Sequence, residues 1–149
     1  MPRDAILRPA GLDDLAGLLA LYAELNPDDP PMDAATAQAH FAVILAQPGM
    51  TIYVAFKDSI PLASCTLLVV PNLTRAGAPY ALIENVVTAK TARRTGLGRA
   101  VLKHAVDAAW QAGCYKVMLL TGRGEMGASD FYTRCGFEQN KTGFQIRRP

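Results

Sequence analysis

A strand-forming segment leads through a glycine turn directly into a long amphipathic helix, and this junction constrains the fold most. Tyr80 to Ala89 is rich in apolar and β-branched residues, which predicts a strand. Gly96 to Ala112 carries apolar residues at helical spacing, and Gly113 follows as a stop signal. A continuous apolar run at 117–120 predicts the next strand. Two strands joined by a helix are the unit from which α/β sheets are built.

The remaining segments predict antiparallel strands and three further helices. Further strands are predicted at 6–10, 51–56, 60–70, 137–139 and 144–147, and further helices at 12–25, from Asp33 to Pro48 and at 128–135. The order is β-α-α-β-β-β-α-β-α-β-β. It describes an α/β (α+β) chain with a mixed, mostly antiparallel central sheet and helices on both faces. A length of 149 residues fits a single domain spanning 1–149.

The composition excludes several classes of protein. Half of the residues are hydrophobic and 19% are charged, which excludes intrinsic disorder. A net charge of +2 gives no reason to expect a nucleic acid or membrane partner. The three cysteines are odd in number and form no CxxC pair, which argues against a disulfide scaffold or a metal site. Without a signal-peptide pattern, we expect a cytoplasmic protein.

The glycine turn predicts a site for a phosphate or pyrophosphate. Unpaired backbone N–H groups at a helix start bind anions, and glycine lets the backbone approach them closely. Arg93, Arg94 and Arg99 add positive charge at the same place. The turn matches neither the P-loop nor the Rossmann glycine pattern, which disfavours ATP and NAD. A glycine turn with solvated arginines is the alternative.

Two motifs together resemble the GNAT N-acetyltransferase superfamily. Arg93-x-x-Gly96-x-Gly98 after a Val-Val strand resembles its acyl-CoA pyrophosphate motif, and 131–137 resembles its Y-x-x-x-G-F motif. The opening 7–10 and the order of elements are also typical. The resemblance therefore covers nearly the whole chain and implies the GNAT fold.

The resemblance implies acetyl-CoA as co-substrate and no metal. In the family, the strand before the glycine turn splays from the next strand, and the pantetheine arm lies in that gap. This assigns hydrogen bonds with pantetheine, and stabilisation of the oxyanion, to the backbone of Val86 and Val87. The expected pyrophosphate site comprises Arg93, Arg94, Thr95, Gly96, Leu97, Gly98 and Arg99.

Two residues are candidates for proton transfer. Tyr132 stands at the tyrosine of the second motif, the family's usual acid for the departing CoA thiolate. Its alternative role is to anchor a helix. Glu84 is acidic within an apolar strand, which favours a general base or substrate ligand, with pairing to an arginine as the structural alternative. Glu125 stands where many members carry an asparagine that reaches pantetheine, which puts that side-chain contact in doubt.

The acceptor is expected to be a small amine. Arg75 and Tyr80, in the segment before the core strand, are candidate substrate residues, and the acidic loop 26–33 offers a cationic amine an entrance. Solvated loop charges are the alternative. Residues 83–87 and 113–117 resemble glucosamine-phosphate N-acetyltransferases, and residues 131–139 resemble aminoalkylphosphonate acetyltransferases; both partial likenesses favour a small metabolite. A protein or peptide acetyltransferase and a non-catalytic acetyl-CoA-binding module remain as alternatives. Relatives suggest that the C-terminal strand can pair across a homodimer.

Overall fold

The computed structural model describes residues 1–122, 124–125 and 127–149, which form two compact units, Met1–Met118 and Leu119–Pro149. The strands are β1 (Ile6–Pro9), β2 (Met50–Lys57), β3 (Ile60–Val70), β4 (Tyr80–Thr88) and β5 (Val117–Leu119); the helices are α1 (Leu15–Leu25), α2 (Ala34–Ala46), α3 (Leu97–Gln111) and α4 (Ala128–Arg134). The sheet order is β1-β2-β3-β4-β5, and the boundary between the units falls within β5. That 1–149 forms one domain stays a prediction.

Strands β1 to β4 run antiparallel in chain order, as the sequence predicts. The turn between β2 and β3 is the shortest kind, because Lys57 pairs with Ile60 and leaves only two residues at the tip. Both tip residues, Asp58 and Ser59, have positive φ angles. Such a turn follows the right-handed twist of paired strands, so it fixes their register.

Helices cover both faces of this sheet, as predicted. One face, beneath α1 and α2, carries an apolar cluster of Leu18, Phe41, Ile52, Val54 and Phe56. On the other face α3 packs on β2 and β3. There the Cys65 thiol donates to the carbonyl of Val101 at 3.9 Å, and the rings of Tyr53 and His104 meet edge to face at 4.8 Å. Because both faces are covered, residues 52–56 of β2 and 63–67 of β3 are buried.

Carboxylates fix the starts of the first two helices. Asp33 caps α2 by accepting from the Thr36 N–H at 2.9 Å, as predicted, and this bond lowers the pKa of its carboxyl. Asp14 precedes α1 and accepts from Arg8 at 2.7 Å and from the Gly11 N–H at 2.7 Å. The bond from Arg8 is the larger cause of the lowered pKa of Asp14. The N-terminal strand is thereby tied to the first helix.

The two closing strands predicted at 137–139 and 144–147 are wrong. Residues 137–149 contain neither strand nor helix. A strand needs a hydrogen-bonded neighbour and a surface that covers its apolar side chains. Phe144 is 91% exposed and Ile146 is 98% exposed, so none of the described residues covers their alternating apolar pattern.

The helices of the described residues are too short or too polar for a bilayer: none could cross a membrane.

Candidate functional site

The centre of β4 contains a β-bulge opposite Cys65. Glu84 pairs with Thr66 and Val87 pairs with Ser64, so three steps along β4 correspond to two steps along β3. Asn85 lies within the bulge and has a φ of 52°. Asparagine is one of the few residues that adopt this left-handed conformation readily, because its short amide bonds to nearby backbone.

The bulge changes which side chains share a sheet face. Residues paired directly across antiparallel strands lie on the same face, as do residues two apart in one strand. Ser64 and Thr66 therefore bring Val87 and Glu84 onto one face, the face beneath α1. In a regular strand, Glu84 and Val87 would lie on opposite faces.

The bulge also bears on the predicted backbone sites at Val86 and Val87. The side chain of Val87 is buried and that of Val86 is half-buried. Both side chains therefore contribute to packing, although the backbone of this segment forms the bulge. A bulge disrupts the ladder of hydrogen bonds locally and leaves the extra residue unpaired. Backbone groups freed in this way fit a ligand that bonds to the main chain. The bulge was not predicted, although a polar Asn85 within an apolar strand was a signal for it.

Glu84 is exposed beside the bulge. None of the ion pairs among the described residues involves it. The described structure therefore gives no support to the alternative in which Glu84 pairs with an arginine.

The turn after β4 is shaped by local hydrogen bonds and two left-handed residues. The Ala92 N–H donates to the Ala89 carbonyl at 2.8 Å, and the Thr95 hydroxyl donates to the Ala92 carbonyl at 2.6 Å. Arg94 has a φ of 65° and Gly96 a φ of 86°. Successive N–H groups in such turns converge on a concave surface that binds anions.

Helix α3 begins in this turn with its first amides unoccupied by a side-chain cap. Gly96 is the N-cap, and no side chain of the described residues bonds to this end. Leu97 and Gly98 are buried, which fixes the start of the helix against the core, whereas Arg93, Arg94 and Arg99 are exposed around it. Free N–H groups, a helix dipole and nearby guanidinium groups suit a pyrophosphate. The residues present therefore fit the phosphates of acetyl-CoA.

A contact distant in sequence ties this turn to α1. The backbone N–H of Lys90 donates to the Glu24 carboxylate at 2.8 Å. Lys90 opens the short 3-10 turn that leads to Gly96, so Glu24 holds the entry to the glycine turn before α3. The prediction missed this contact because no local pattern links residues 66 positions apart.

The predicted substrate residues Arg75 and Tyr80 belong to a cluster of cations and aromatic rings. The Arg75 guanidinium lies 5.3 Å from the centre of the Tyr115 ring. The Lys116 ammonium lies 5.4 Å from that ring and 5.9 Å from the ring of Tyr80. We call these four residues the cationic-aromatic patch. Tyr115 and Lys116 were missed because they precede a different strand, and only the sheet brings them beside Tyr80.

The patch rests on an irregular loop. Arg75, Ala76 and Gly77 have consecutive positive φ values of 57°, 56° and 82°. The Asn72 side chain braces the loop by donating to the Thr74 hydroxyl at 2.8 Å and to the Ala78 carbonyl at 3.2 Å. Backbone strain of this kind is often found at ligand sites. In the acidic loop, Asp33 is occupied as the α2 cap, while Asp28 and Asp29 are exposed.

Tyr132 lies in the second unit, on α4. Its ring is half-buried between Phe131 at 5.3 Å and Phe137 at 6.1 Å. Glu125 accepts from the Thr121 hydroxyl at 2.9 Å, so this carboxylate is already bonded within its own loop. Arg123 and Met126 of the same loop lie outside the described residues.

Within the described parts of the chain, no three His, Cys, Asp or Glu side chains group as a metal site.

Comparisons with known proteins agree with the motifs. The Acetyltransferase (GNAT) family model matches residues 17–137. Glucosamine 6-phosphate N-acetyltransferase 1 of Oryza sativa subsp. japonica is 31% identical over 88% of this chain and 79% of its own length. Glucosamine 6-phosphate N-acetyltransferase of Trypanosoma brucei brucei is 28% identical over 96% and 95%. A solved structure of a candidate acetyltransferase from Agrobacterium tumefaciens str. C58 is 58% identical, with a TM-score of 0.94 over 96% of this chain and 99% of that one.

The bulge can be tested by changing Asn85. Asn85→Gly should bind acetyl-CoA like the wild type, because glycine adopts positive φ freely. Asn85→Val should weaken binding about tenfold or more, because a β-branched residue in this conformation costs roughly 1–2 kcal/mol and favours a regular strand. Calorimetric titration with acetyl-CoA measures both affinities. Equal affinity for the valine variant and the wild type would show that the bulge is irrelevant to binding.

The hydrogen bond from Lys90 to Glu24 predicts that a residue distant in sequence supports the glycine turn before α3. Glu24→Ala should raise the KM for acetyl-CoA about threefold to tenfold, because this hydrogen bond is exposed and a typical one contributes about 0.5–1.5 kcal/mol. Glu24→Gln keeps an acceptor oxygen and should show a smaller change. Asp13→Ala removes an exposed acid elsewhere and serves as the charge control. Steady-state kinetics measure the KM for acetyl-CoA. An equal KM for Glu24→Ala and the wild type would contradict the role of Glu24.

Proposed function

The chain belongs to the GNAT acetyltransferase family, and we propose that it moves the acetyl group of acetyl-CoA directly to the primary amine of a small, anionic metabolite. The family match covers residues 17–137, and acetyltransferases of this fold use acetyl-CoA. The observation that carries the proposal is the sequence of features along β4 and α3. A bulge that frees strand backbone is followed, within a few residues, by a turn and helix start suited to pyrophosphate.

The donor would bind chiefly to main chain. We propose that the backbone of Val86 and Val87 bonds to the pantetheine arm, and that an N–H there faces the thioester oxygen. Fixed N–H donors stabilise the negative charge that develops on that oxygen during attack, and they need no reorganisation. The phosphates would lie on the amides from Arg94 to Arg99. The side chains of Arg93, Arg94 and Arg99 supply the matching positive charge.

Glu84 is the proposed base. An aliphatic amine has a pKa of about 10 and is mostly protonated at neutral pH, so it must lose a proton before it attacks. Glu84 is exposed on the face beneath α1 and lies beside the bulge. It would take this proton directly or through water, and the neutral nitrogen would then bond to the acetyl carbon.

Tyr132 is the proposed acid. The carbon–sulfur bond breaks as the amide forms, and the departing thiolate needs a proton. A phenol with an ordinary pKa of about 10 is protonated at neutral pH and able to donate. The position of Tyr132 in the Y-x-x-x-G-F motif supports this role. The net reaction converts amine and thioester into amide and thiol.

The cationic-aromatic patch supports an acceptor with a negative group. Arg75 and Lys116 would bind a phosphate or phosphonate, and the faces of Tyr80 and Tyr115 would pack against a sugar or alkyl chain. Two of the relatives above are named as glucosamine 6-phosphate N-acetyltransferases. A phosphorylated amino sugar is therefore the first acceptor to test. We further propose a cytoplasmic location, since three sparse cysteines fit a reducing compartment.

An acceptor screen that follows CoA release tests this function. The panel compares glucosamine 6-phosphate, unphosphorylated glucosamine, a short aminoalkylphosphonate and a lysine peptide. We expect turnover with an anionic amine, and about a 10²-fold lower kcat for Tyr132→Phe, the usual size of a lost acid. Arg75→Ala should lower kcat/KM for the anionic amine and spare glucosamine. Turnover of the peptide alone would favour a protein acetyltransferase, and binding of acetyl-CoA without any turnover would favour a binding module.

The role of Glu84 predicts a change in pH dependence. Glu84→Gln should lower kcat/KM about 10²-fold at neutral pH, in the range for removal of a general base. Its deficit should shrink as the pH rises, because more of the amine is then already unprotonated. The pH profile of kcat/KM from pH 6 to pH 10 measures this. A glutamine enzyme with the wild-type profile rules out Glu84 as the base.

A further inference from the structure

Three hydroxyl side chains stand in the otherwise apolar layer between α1 and the sheet. Tyr22 comes from α1, and Ser64 and Thr66 come from β3. Ser64 is 1% exposed and Thr66 is 4% exposed. The Tyr22 ring packs against the apolar cluster on this face. We call these three residues the hydroxyl cluster.

Two of the three hydroxyls in the hydroxyl cluster lack a well-formed hydrogen bond to the described residues. The hydroxyls of Tyr22 and Ser64 are buried, and neither makes a hydrogen bond of good geometry to the described residues. Burial raises the pKa of Tyr22, and weak hydrogen bonding with the side chains of Ser64 and Thr66 partly opposes this effect. The phenol therefore stays protonated and able to donate. Unpaired buried hydroxyls destabilise a fold, so two of them side by side point to a bound water or a function.

The hydroxyl cluster lies directly against the bulge of β4. Thr66 pairs with Glu84, and Ser64 pairs with Val87, so all four residues share the face beneath α1. Side chains of directly paired residues lie about 5 Å apart at Cβ. The proposed base is thus the strand neighbour of a residue in the hydroxyl cluster.

A small apolar cavity lies on this face beside the hydroxyl cluster. Tyr22 lines a cavity of about 110 Å³ together with Leu18 and Ile52. Ile52 is the strand partner of Thr66, so the cavity adjoins the hydroxyl cluster. The cavity itself is lined almost entirely by apolar side chains and would stay dry, so a water belongs at the hydroxyls beside it, where it can make the roughly three hydrogen bonds that a buried water typically makes.

We propose that Tyr22, Ser64 and Thr66 hold a buried water beneath the bulge, and that Tyr22 acts through this water to position the Glu84 carboxylate. The inference rests on the proposed function, in which Glu84 takes the proton of the acceptor amine. The Tyr22 hydroxyl donates to the water, and the water donates to the carboxylate. Tyr22 is a positioning residue in this arrangement, because it touches neither substrate.

The thermal stability of Tyr22→Phe tests the water without any turnover. Removing a hydroxyl that bonds to a held water should leave the Tm unchanged or lower it. Removing a truly unpaired hydroxyl should raise the Tm, and a rise overturns the proposal. Tyr53→Phe is the matched control, because Tyr53 is a buried tyrosine on the opposite sheet face, against His104.

Kinetics test the positioning. Tyr22→Phe should lower kcat about tenfold and leave the KM for acetyl-CoA unchanged, because misplacing a reacting group weakens chemistry rather than donor binding. Ser64→Ala should change kcat in the same direction, and Tyr53→Phe should match the wild type. An unchanged kcat for Tyr22→Phe overturns the proposal.

A double-mutant cycle shows whether Tyr22 acts through Glu84. Adding Tyr22→Phe to the Glu84→Gln enzyme should lower kcat less than twofold, because the carboxylate that Tyr22 positions is already absent. A full tenfold loss in both backgrounds means that Tyr22 acts independently of Glu84, and this overturns the proposal. Wild-type turnover reports on the proposed function alone, so a failure of that function is distinguished from a failure of the role of Tyr22.

Discussion

The bulge of β4 is the constraint on which the arrangement of this site depends. One extra residue opposite Cys65 brings Glu84 and Val87 to the same sheet face and interrupts the ladder at Val86. In a regular strand, the backbone groups of β4 would all bond within the sheet. Glu84 and Val87 would then lie on opposite faces, so only one of them would remain beneath α1. The bulge is held by register on both sides and by Asn85, which accepts the positive φ.

The rest of the first unit holds this irregular strand in place. Buried residues of β2 and β3 pack under helices on both faces, so the paired strands cannot slip without exposing apolar surface. Glu24 on α1 fixes the turn that follows the bulge, and the buried start of α3 fixes its far end. The packed sheet thus holds a strand whose hydrogen-bond ladder is interrupted, next to a helix, α3, that starts without a side-chain cap.

Periodicity and short motifs predicted much of the fold. Strand β3 matches its predicted range, Asp33 caps α2 as expected, and the G-x-G turn opens α3. The closing strands failed because alternation of Phe144 and Ile146 indicates a strand only where a partner exists to cover it. The bulge was missed because its cause is a pairing between strands, whereas a local pattern shows only an asparagine among apolar residues.

The sequence by itself determined the family and the glycine turn that opens α3, because both follow from local spacing along the chain. Only the tertiary structure decided which distant residues meet. The pairing of Thr66 with Glu84, the bond from Lys90 to Glu24, and the approach of Tyr115 and Lys116 to Arg75 and Tyr80 all join separate segments. Such contacts depend on strand register and helix packing, and these are set by the burial of the whole core rather than by any one segment.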